Sequence, residues 1–353
     1  MQIAGVGLAL YARRPPQTTR AASLDQVCLQ AGETHAQRPV FAAPTLRPRP
    51  EPIQVQGEQL AQQLAPTLTR HTVNYRYNSL LPMLDFVNHL NGQPAECTFR
   101  QGFESYAPDL VGDMAKVGGR SCVGMAITLR DDLRGRGLPA YICPVSLPEA
   151  LQHGNPLAFG HTAVVIPFRH QNDQGYVILD PGLSIPKPIV VREGQTTSLV
   201  PWENSPHPQT WTFQFESPHM LSCEVQIPNS SGGGTSRFLI DQEWTDPEAT
   251  LGRCASLNPR PRITARDARG ETLAAVAVEM RRPGSVRVVV ESEGRRQRFA
   301  YQAEDKWQEA ISPEIARLLL PHSADPRQEL IEAVRRCSQS MPILQTAIQA
   351  VLA

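Results

Sequence analysis

The chain has 353 residues, of which 41% are hydrophobic, and this is enough for a sizeable buried core in two or three domains. Lys and Arg number 34 and so do Asp and Glu, which leaves no net charge to attract nucleic acid or an anionic membrane. We therefore expect neither as a partner. The seven scattered cysteines include no CxxC pair, which argues against a metal site and a disulfide framework and favours the reducing cytoplasm.

The first 57 residues are predicted to be a disordered extension that ends in a proline-rich linker at residues 44–52. Residues 1–50 contain several arginines and only two acidic residues, Asp25 and Glu33, as organellar transit peptides also do. The helical amphipathicity of such a peptide is weak here. The mobile extension is therefore favoured, and a transit peptide stays open as the alternative.

Residues 58–135 are predicted to form a helical domain. Leu60, Leu64 and Leu68 lie on one helical face, and a second apolar run at residues 80–90 also has helical spacing. These helices are expected to form a supporting layer for the segment that follows them.

Cys122 is the candidate nucleophile of this helical domain. Gly118 and Gly119 free the backbone just before it, and the apolar residues after it recur at helical spacing, so a helix is expected to begin at Cys122. The unpaired N–H groups and the positive dipole end of a helix favour the thiolate over the thiol. Because the thiolate is the nucleophilic form, a cysteine at this position is expected to be reactive.

A short strand and a hairpin are predicted after this helix. The strand covers residues 138–145, and residues 162–168 of the hairpin pair with residues 176–180. His161 opens one strand of the hairpin and Asp180 closes the other. The two residues therefore lie at the same end of the sheet, and a hydrogen bond between them is expected.

The β-rich domain is predicted to extend over residues 136–305, and C-terminal helices over residues 306–353. The last helix is expected to break at Pro342. Alternating residues and regular turns indicate a barrel or sandwich in the second half of the β-rich domain. Its strands are 211–215, 221–227, 237–244, 262–266, 272–280, 286–291 and 297–301.

Together, Cys122, His161 and Asp180 form a candidate catalytic triad. An imidazole converts a thiol to the nucleophilic thiolate, and a carboxylate orients that imidazole and stabilises its charge. Backbone N–H groups near Cys122 are expected to stabilise the oxyanion of an acyl-transfer reaction. Each residue alone is more simply explained as structural, but the three in this order and at this spacing favour a triad. Structural roles are assigned to Cys143, His170, Asp173 and Trp202, with a substrate cleft as the alternative for Trp202.

The residues around the triad resemble a known superfamily. Gly-Arg-Ser-Cys at Cys122, RGRGLPA at residues 134–140, Gly before His161 and Leu-Asp-Pro-Gly at Asp180 look like the core of the transglutaminase-like superfamily. The arylamine N-acetyltransferases belong to the same structural group. The resemblance covers residues 117–188 in motifs and the remainder in architecture. It implies an α+β, papain-like cysteine fold with N-terminal helices, an antiparallel β-sheet or barrel and C-terminal helices.

This resemblance implies a ping-pong acyltransferase that forms a thioester on Cys122. No bound cofactor is expected; the co-substrate is an acyl-CoA or an acyl carrier, and the acceptor is an amine on a small molecule, carrier or peptide. Arylamine N-acetyltransferases usually have Arg-Gly-Gly one residue before their cysteine and Glu two residues after it. Val117 and Gly124 depart from that pattern, so acetyl-CoA is expected to be a poor donor. The alternatives are an amidase or peptidase with water as acceptor, and a catalytically silent binding protein.

Overall fold

A computed structural model describes residues 45–108, 119–146, 160–183, 185–201, 209–226, 234–253, 258, 260–282 and 285–352. It confirms the predicted α+β class, with seven α-helices and two large, mainly antiparallel sheets among these residues. Residues 1–44 of the predicted extension, Gly118 and Trp202 lie outside the described residues. The predicted domain boundaries remain predictions. No helix of the described chain is both long and apolar enough to cross a membrane.

The described chain begins with two short strands that lie within the predicted extension at residues 1–57. Strand β1 (Leu46–Pro48) pairs antiparallel with β13 (Gln242–Trp244), and β2 (Ile53–Gln54) pairs parallel with the end of β6 (His161–His170). The folded part therefore starts upstream of Glu58, where the sequence predicted only a linker. Proline favours an extended backbone and is tolerated in edge strands, so the same composition fits both structures.

Three helices and a three-residue strand follow. They are α1 (Gly57–Asn74), β3 (Arg76–Asn78), α2 (Leu80–Asn91) and α3 (Phe99–Ser105). The leucines that predicted α1 are buried, as are most apolar residues of α2. The helical pattern predicted for this region is confirmed, but β3 was not predicted because three residues carry no measurable periodicity.

The first large sheet is a nearly closed barrel. Its strand order is β8-β7-β6-β5-β12-β11-β10-β9. The two end strands, β8 and β9, are consecutive in the sequence and are in contact with each other. The predicted hairpin is confirmed, with Val164 opposite Leu179. The other strands of this sheet are β5 (Tyr141–Ser146), β7 (Asp173–Leu179), β8 (Ile189–Arg192), β9 (Thr197–Leu199), β10 (Thr210–Ser217), β11 (Met220–Gln226) and β12 (Gly234–Phe238).

The second large sheet has the order β17-β16-β15-β14-β3-β4. The sequence predicted one barrel or sandwich from all these strands, but the strands after residue 260 do not join the barrel. Instead β14 pairs with β3, and β3 pairs with β4, both from the helical region. These pairings are hydrogen bonds between distant parts of the chain, which local periodicity does not reveal. The remaining strands of this sheet are β4 (Gly119–Arg120), β14 (Arg262–Arg266), β15 (Thr272–Arg282), β16 (Ser285–Ser292) and β17 (Arg295–Ala300).

In the sequence, helix α4 (Cys122–Gly135) comes between β4 of the second sheet and β5 of the barrel. Three further helices close the chain. These are α5 (Glu304–Ala310), α6 (Pro313–Leu319) and α7 (Pro326–Leu352). Ser312 is the N-cap of α6, since its side chain accepts a hydrogen bond from the backbone N–H of Ile315. The break predicted at Pro342 is wrong, because α7 continues through it. Met341 and Leu344 on either side are buried, and this packing offsets the hydrogen bond that proline removes.

Candidate active site

Cys122 is the first residue of α4, which confirms the helix start predicted from the sequence. Ser121 precedes it in an extended conformation and makes no side-chain cap hydrogen bond. Within the described chain, the first N–H groups of α4 therefore keep their capacity to bind an anion. The buried side chains of Val123 and Ala126 hold the helix in the core, while Cys122 itself is partly exposed.

His161 and Asp180 come together at one end of the hairpin, as the sequence predicted. Nε2 of His161 lies 2.7 Å from Oδ2 of Asp180, and both side chains are buried. The other carboxylate oxygen, Oδ1, accepts a hydrogen bond of 2.8 Å from the backbone N–H of Leu183. The backbone turn that follows Asp180 thus fixes its carboxylate, and the carboxylate orients the imidazole of His161.

Cys122 and His161 are also in contact, across the space between α4 and the barrel. A Cβ atom at Gly182 would lie 2.6 Å from Cβ of Cys122 and 3.0 Å from Cε1 of His161, so the two side chains border the same small space. An interaction with Cys122 also helps to raise the pKa of the His161 imidazole. Because Nε2 faces Asp180, Nδ1 is the nitrogen that remains for the sulfur. The structure therefore brings together all three residues of the predicted triad.

The charge state of His161 follows from these contacts. Burial lowers the pKa of its imidazole, but the charge and hydrogen bond of Asp180 and the interaction with Cys122 raise it more. The pKa of His161 therefore lies above its ordinary value of 6.5. An imidazolium at neutral pH is the partner that a thiolate requires.

Gly182 is a site residue that the sequence analysis did not single out. A Cβ atom at this position would lie 2.6 Å from Cβ of Cys122 and 3.0 Å from Cε1 of His161. Only glycine allows the turn after Asp180 to approach both residues so closely. The signal was present in the Leu-Asp-Pro-Gly motif, but a glycine after Asp-Pro is also typical of an ordinary turn.

The residues to which structural roles were assigned lie away from the triad. His170 is paired with Asp173 at the far end of the hairpin, and Asp173 accepts a hydrogen bond of 3.0 Å from Arg192. Cys143 is buried in the barrel, where burial raises the pKa of its thiol. Among the described residues, no group of three His, Cys, Asp or Glu side chains is placed to hold a metal ion.

A cavity of about 370 Å³ lies between α2 and α7 and is separate from the triad. Leu80, Leu84 and Leu330 contribute to its largely apolar lining. Asn78 of β3 also lines it. Since side chains alternate along a strand, Tyr77 of β3 lies on the opposite face of the sheet.

No protein-family model matches this sequence, and no curated protein matches it. The chain is similar to solved structures of arylamine N-acetyltransferases. The enzyme from Bacillus cereus, which has a Cys-His-Glu catalytic triad, is 13% identical over 74% of this chain and 91% of its own, with a TM-score of 0.44. The Mycobacterium marinum enzyme, solved in complex with CoA, is 12% identical over 78% of this chain and 93% of its own, with a TM-score of 0.44. The Nocardia farcinica enzyme is 12% identical over 91% of this chain and 98% of its own, with a TM-score of 0.47. The similarity concerns the fold alone.

Proposed function

We propose that the protein is a cysteine-dependent acyltransferase with Cys122 as nucleophile, His161 as base and acid, and Asp180 as the residue that holds His161. The observation that carries this proposal is the contact chain from the first residue of α4, through a buried imidazole, to a buried carboxylate at 2.7 Å. An inert cysteine does not require a charged imidazole beside it.

In the first half-reaction the Cys122 thiolate attacks the carbonyl carbon of the acyl donor. A carbon–sulfur bond forms, and the carbonyl electron pair moves to oxygen, where the N–H groups at the start of α4 stabilise it. The tetrahedral intermediate then collapses to a thioester. The leaving group departs with the proton that His161 donates.

In the second half-reaction an amine attacks the thioester and gives a proton to His161. The amide leaves, and the bonding electron pair of the broken carbon–sulfur bond returns to Cys122 as the thiolate beside the imidazolium. The donor is an acyl thioester on CoA or a carrier, or a glutaminyl amide. Acetyl-CoA is a poor donor in this proposal, because Gly124 stands where arylamine N-acetyltransferases usually have Glu.

The test is the intact mass of the full-length protein after incubation with acyl-CoA, acyl-carrier-protein and glutaminyl-peptide pools. We expect an acyl adduct on Cys122 that disappears when an amine is added and an amide appears. The Cys122→Ala protein should form no adduct. Rapid acetylation by micromolar acetyl-CoA, with transfer to an arylamine, would contradict the predicted donor preference.

Two other functions give different results in the same experiment. An amidase or peptidase would lose its adduct to water at the same rate with and without the amine. A silent binding protein would form no adduct, and alkylation of Cys122 would show no pH dependence apart from that of an ordinary thiol. Either result would replace the acyltransferase proposal.

A further inference from the structure

Tyr77 lies beside the nucleophile on the second sheet. In the parallel pairing of β3 with β4, Tyr77 is opposite Arg120, which precedes Cys122 by two residues. Neighbouring strands are about 4.8 Å apart, so the backbone of Tyr77 lies beside that of Arg120. The helix that begins with Cys122 starts two residues after Arg120, so Tyr77 and Cys122 lie on neighbouring segments.

The Tyr77 ring is held from the neighbouring strand, β14. The guanidinium carbon of Arg262 lies over the ring, 5.0 Å from its centroid. Thr264 is the residue directly opposite Tyr77 in the ladder. Ser79, two residues further on, is held to the backbone of Arg262: its Oγ accepts a hydrogen bond of 2.9 Å from the N–H and donates one of 3.3 Å to the carbonyl oxygen. The Tyr77 ring therefore lies against a part of β14 that is fixed to β3 on both sides of Tyr77.

The hydroxyl of Tyr77 keeps its proton. Burial and the charge of Cys122 raise the pKa of Tyr77, and these effects outweigh Arg262 and Ser79, which lower it. Cys122 is thus one of the charged groups that act on the pKa of the phenol. A neutral phenol beside a nucleophile is a hydrogen-bond donor.

We propose that Tyr77 is a further catalytic residue, whose O–H donates a hydrogen bond to the oxyanion formed when Cys122 attacks an acyl donor. This inference rests on the proposed function. No proton is transferred: the carbonyl electron pair moves to oxygen, the Tyr77 hydrogen bond stabilises it, and the pair returns when the leaving group departs with the proton of His161. Arg262 is a positioning residue, because its charge over the ring polarises the hydroxyl.

The experiment compares two probes that react with the same sulfur of the full-length protein. p-Nitrophenyl acetate acylates a thiolate through a tetrahedral oxyanion, whereas iodoacetamide alkylates it by direct displacement, without an oxyanion. Tyr77→Phe removes only the hydroxyl. We expect it to slow acylation on the order of 10²-fold, as loss of one oxyanion donor does, and to leave alkylation within about twofold of the wild type. Tyr301→Phe is the matched control, because its ring packs on Trp307 instead, and it should change neither rate.

The outcomes separate this inference from the proposed function. Equal slowing of both reactions would mean that Tyr77 acts on the thiolate or on the fold and not on the oxyanion. Unchanged acylation would mean that Tyr77 has no catalytic role. Either result overturns this inference and leaves the proposed function intact. A wild-type protein that is alkylated at Cys122 but never acylated would contradict the proposed function and this role with it.

Arg262 provides an independent test of the same geometry. Arg262→Leu should slow acylation about two- to fivefold in the wild type, from the loss of one cation over the ring. It should have no effect in the Tyr77→Phe protein, since its action passes through the hydroxyl. Equal effects in both backgrounds would remove Arg262 from the proposed mechanism.

Discussion

Gly182 lies where the turn after β7 meets the first turn of α4, and an alanine at this position tests how closely these elements must approach. An added Cβ atom would lie 2.6 Å from Cβ of Cys122, 3.0 Å from its Cα and 3.0 Å from Cε1 of His161. Carbon atoms in contact lie about 3.5–4.0 Å apart, so Gly182→Ala must separate these groups by about 1 Å. The obstacle includes the backbone of α4, which cannot rotate away as a flexible side chain can.

We expect this substitution to lower activity much more than stability. A misplacement of about 1 Å costs on the order of 10²-fold in rate. Overpacking in a folded protein costs about 1–3 kcal/mol in the free energy of unfolding. The measurements are the rate of acylation of Cys122 by p-nitrophenyl acetate and the midpoint of unfolding in urea.

Gly135→Ala is the matched control, because it lies at the other end of α4 and an added Cβ there meets no atom within 4 Å. It should acylate at the wild-type rate. A Gly182→Ala protein that also acylates at the wild-type rate would refute the reasoning, since Cys122 and His161 would then tolerate the separation that the added atom forces.

Three further predictions concern the triad. At pH 6, iodoacetamide should label Cys122 before Cys143 and Cys223. The last two are buried, and burial raises the pKa of both thiols. Uniform slow labelling of all three would contradict an activated thiol at Cys122. Cys122→Ala should abolish acylation, and Asp180→Asn should lower its rate by a factor of about 10²–10⁴. Adding Asp180→Asn to the His161→Ala protein should lower the rate little further, because the two residues act as a unit. Fully additive losses would remove Asp180 from the triad. In the wild-type protein burial lowers the pKa of His161, but Asp180 and Cys122 together raise it more, so the stabilisation is complete below the unfolded value of about 6.5 and is lost as the pH rises through the higher folded value. The free energy of unfolding should therefore fall above pH 6.5 more steeply than in His161→Gln, and parallel pH profiles would show that His161 does not form these interactions.

The sequence predicted two features of the candidate triad because each of them depends on local structure. The helical spacing after Cys122 predicts where α4 begins, and the hairpin alone places His161 beside Asp180. Both patterns extend over enough residues for the helical or strand period to be clear. The meeting of the two parts was inferred from chemistry and not from periodicity, since nothing local relates α4 to the barrel.

Tyr77 could not be predicted in this way. It lies in a strand of three residues between two helices, and the strand exists because it pairs with β14 far along the chain. Such a ladder is stabilised by backbone hydrogen bonds and cross-strand contacts that leave no period in three residues. The extended residues before Glu58 escaped prediction for a related reason, because prolines in an edge strand look like those of a linker.

The division of the site between two sheets explains why we expect activity to be lost before stability. Cys122 follows β4 at the edge of the second sheet, whereas His161 and Asp180 belong to the barrel, and α4 packs on β6 to join them. Each sheet has its own ladder of hydrogen bonds, so neither depends on the distance between sulfur and imidazole. That distance is set by the packing of α4 and by the absence of a side chain at Gly182. A displacement of about 1 Å that leaves both ladders intact would therefore still separate the sulfur of Cys122 from the imidazole of His161, and a misplacement of that size lowers the rate of acylation.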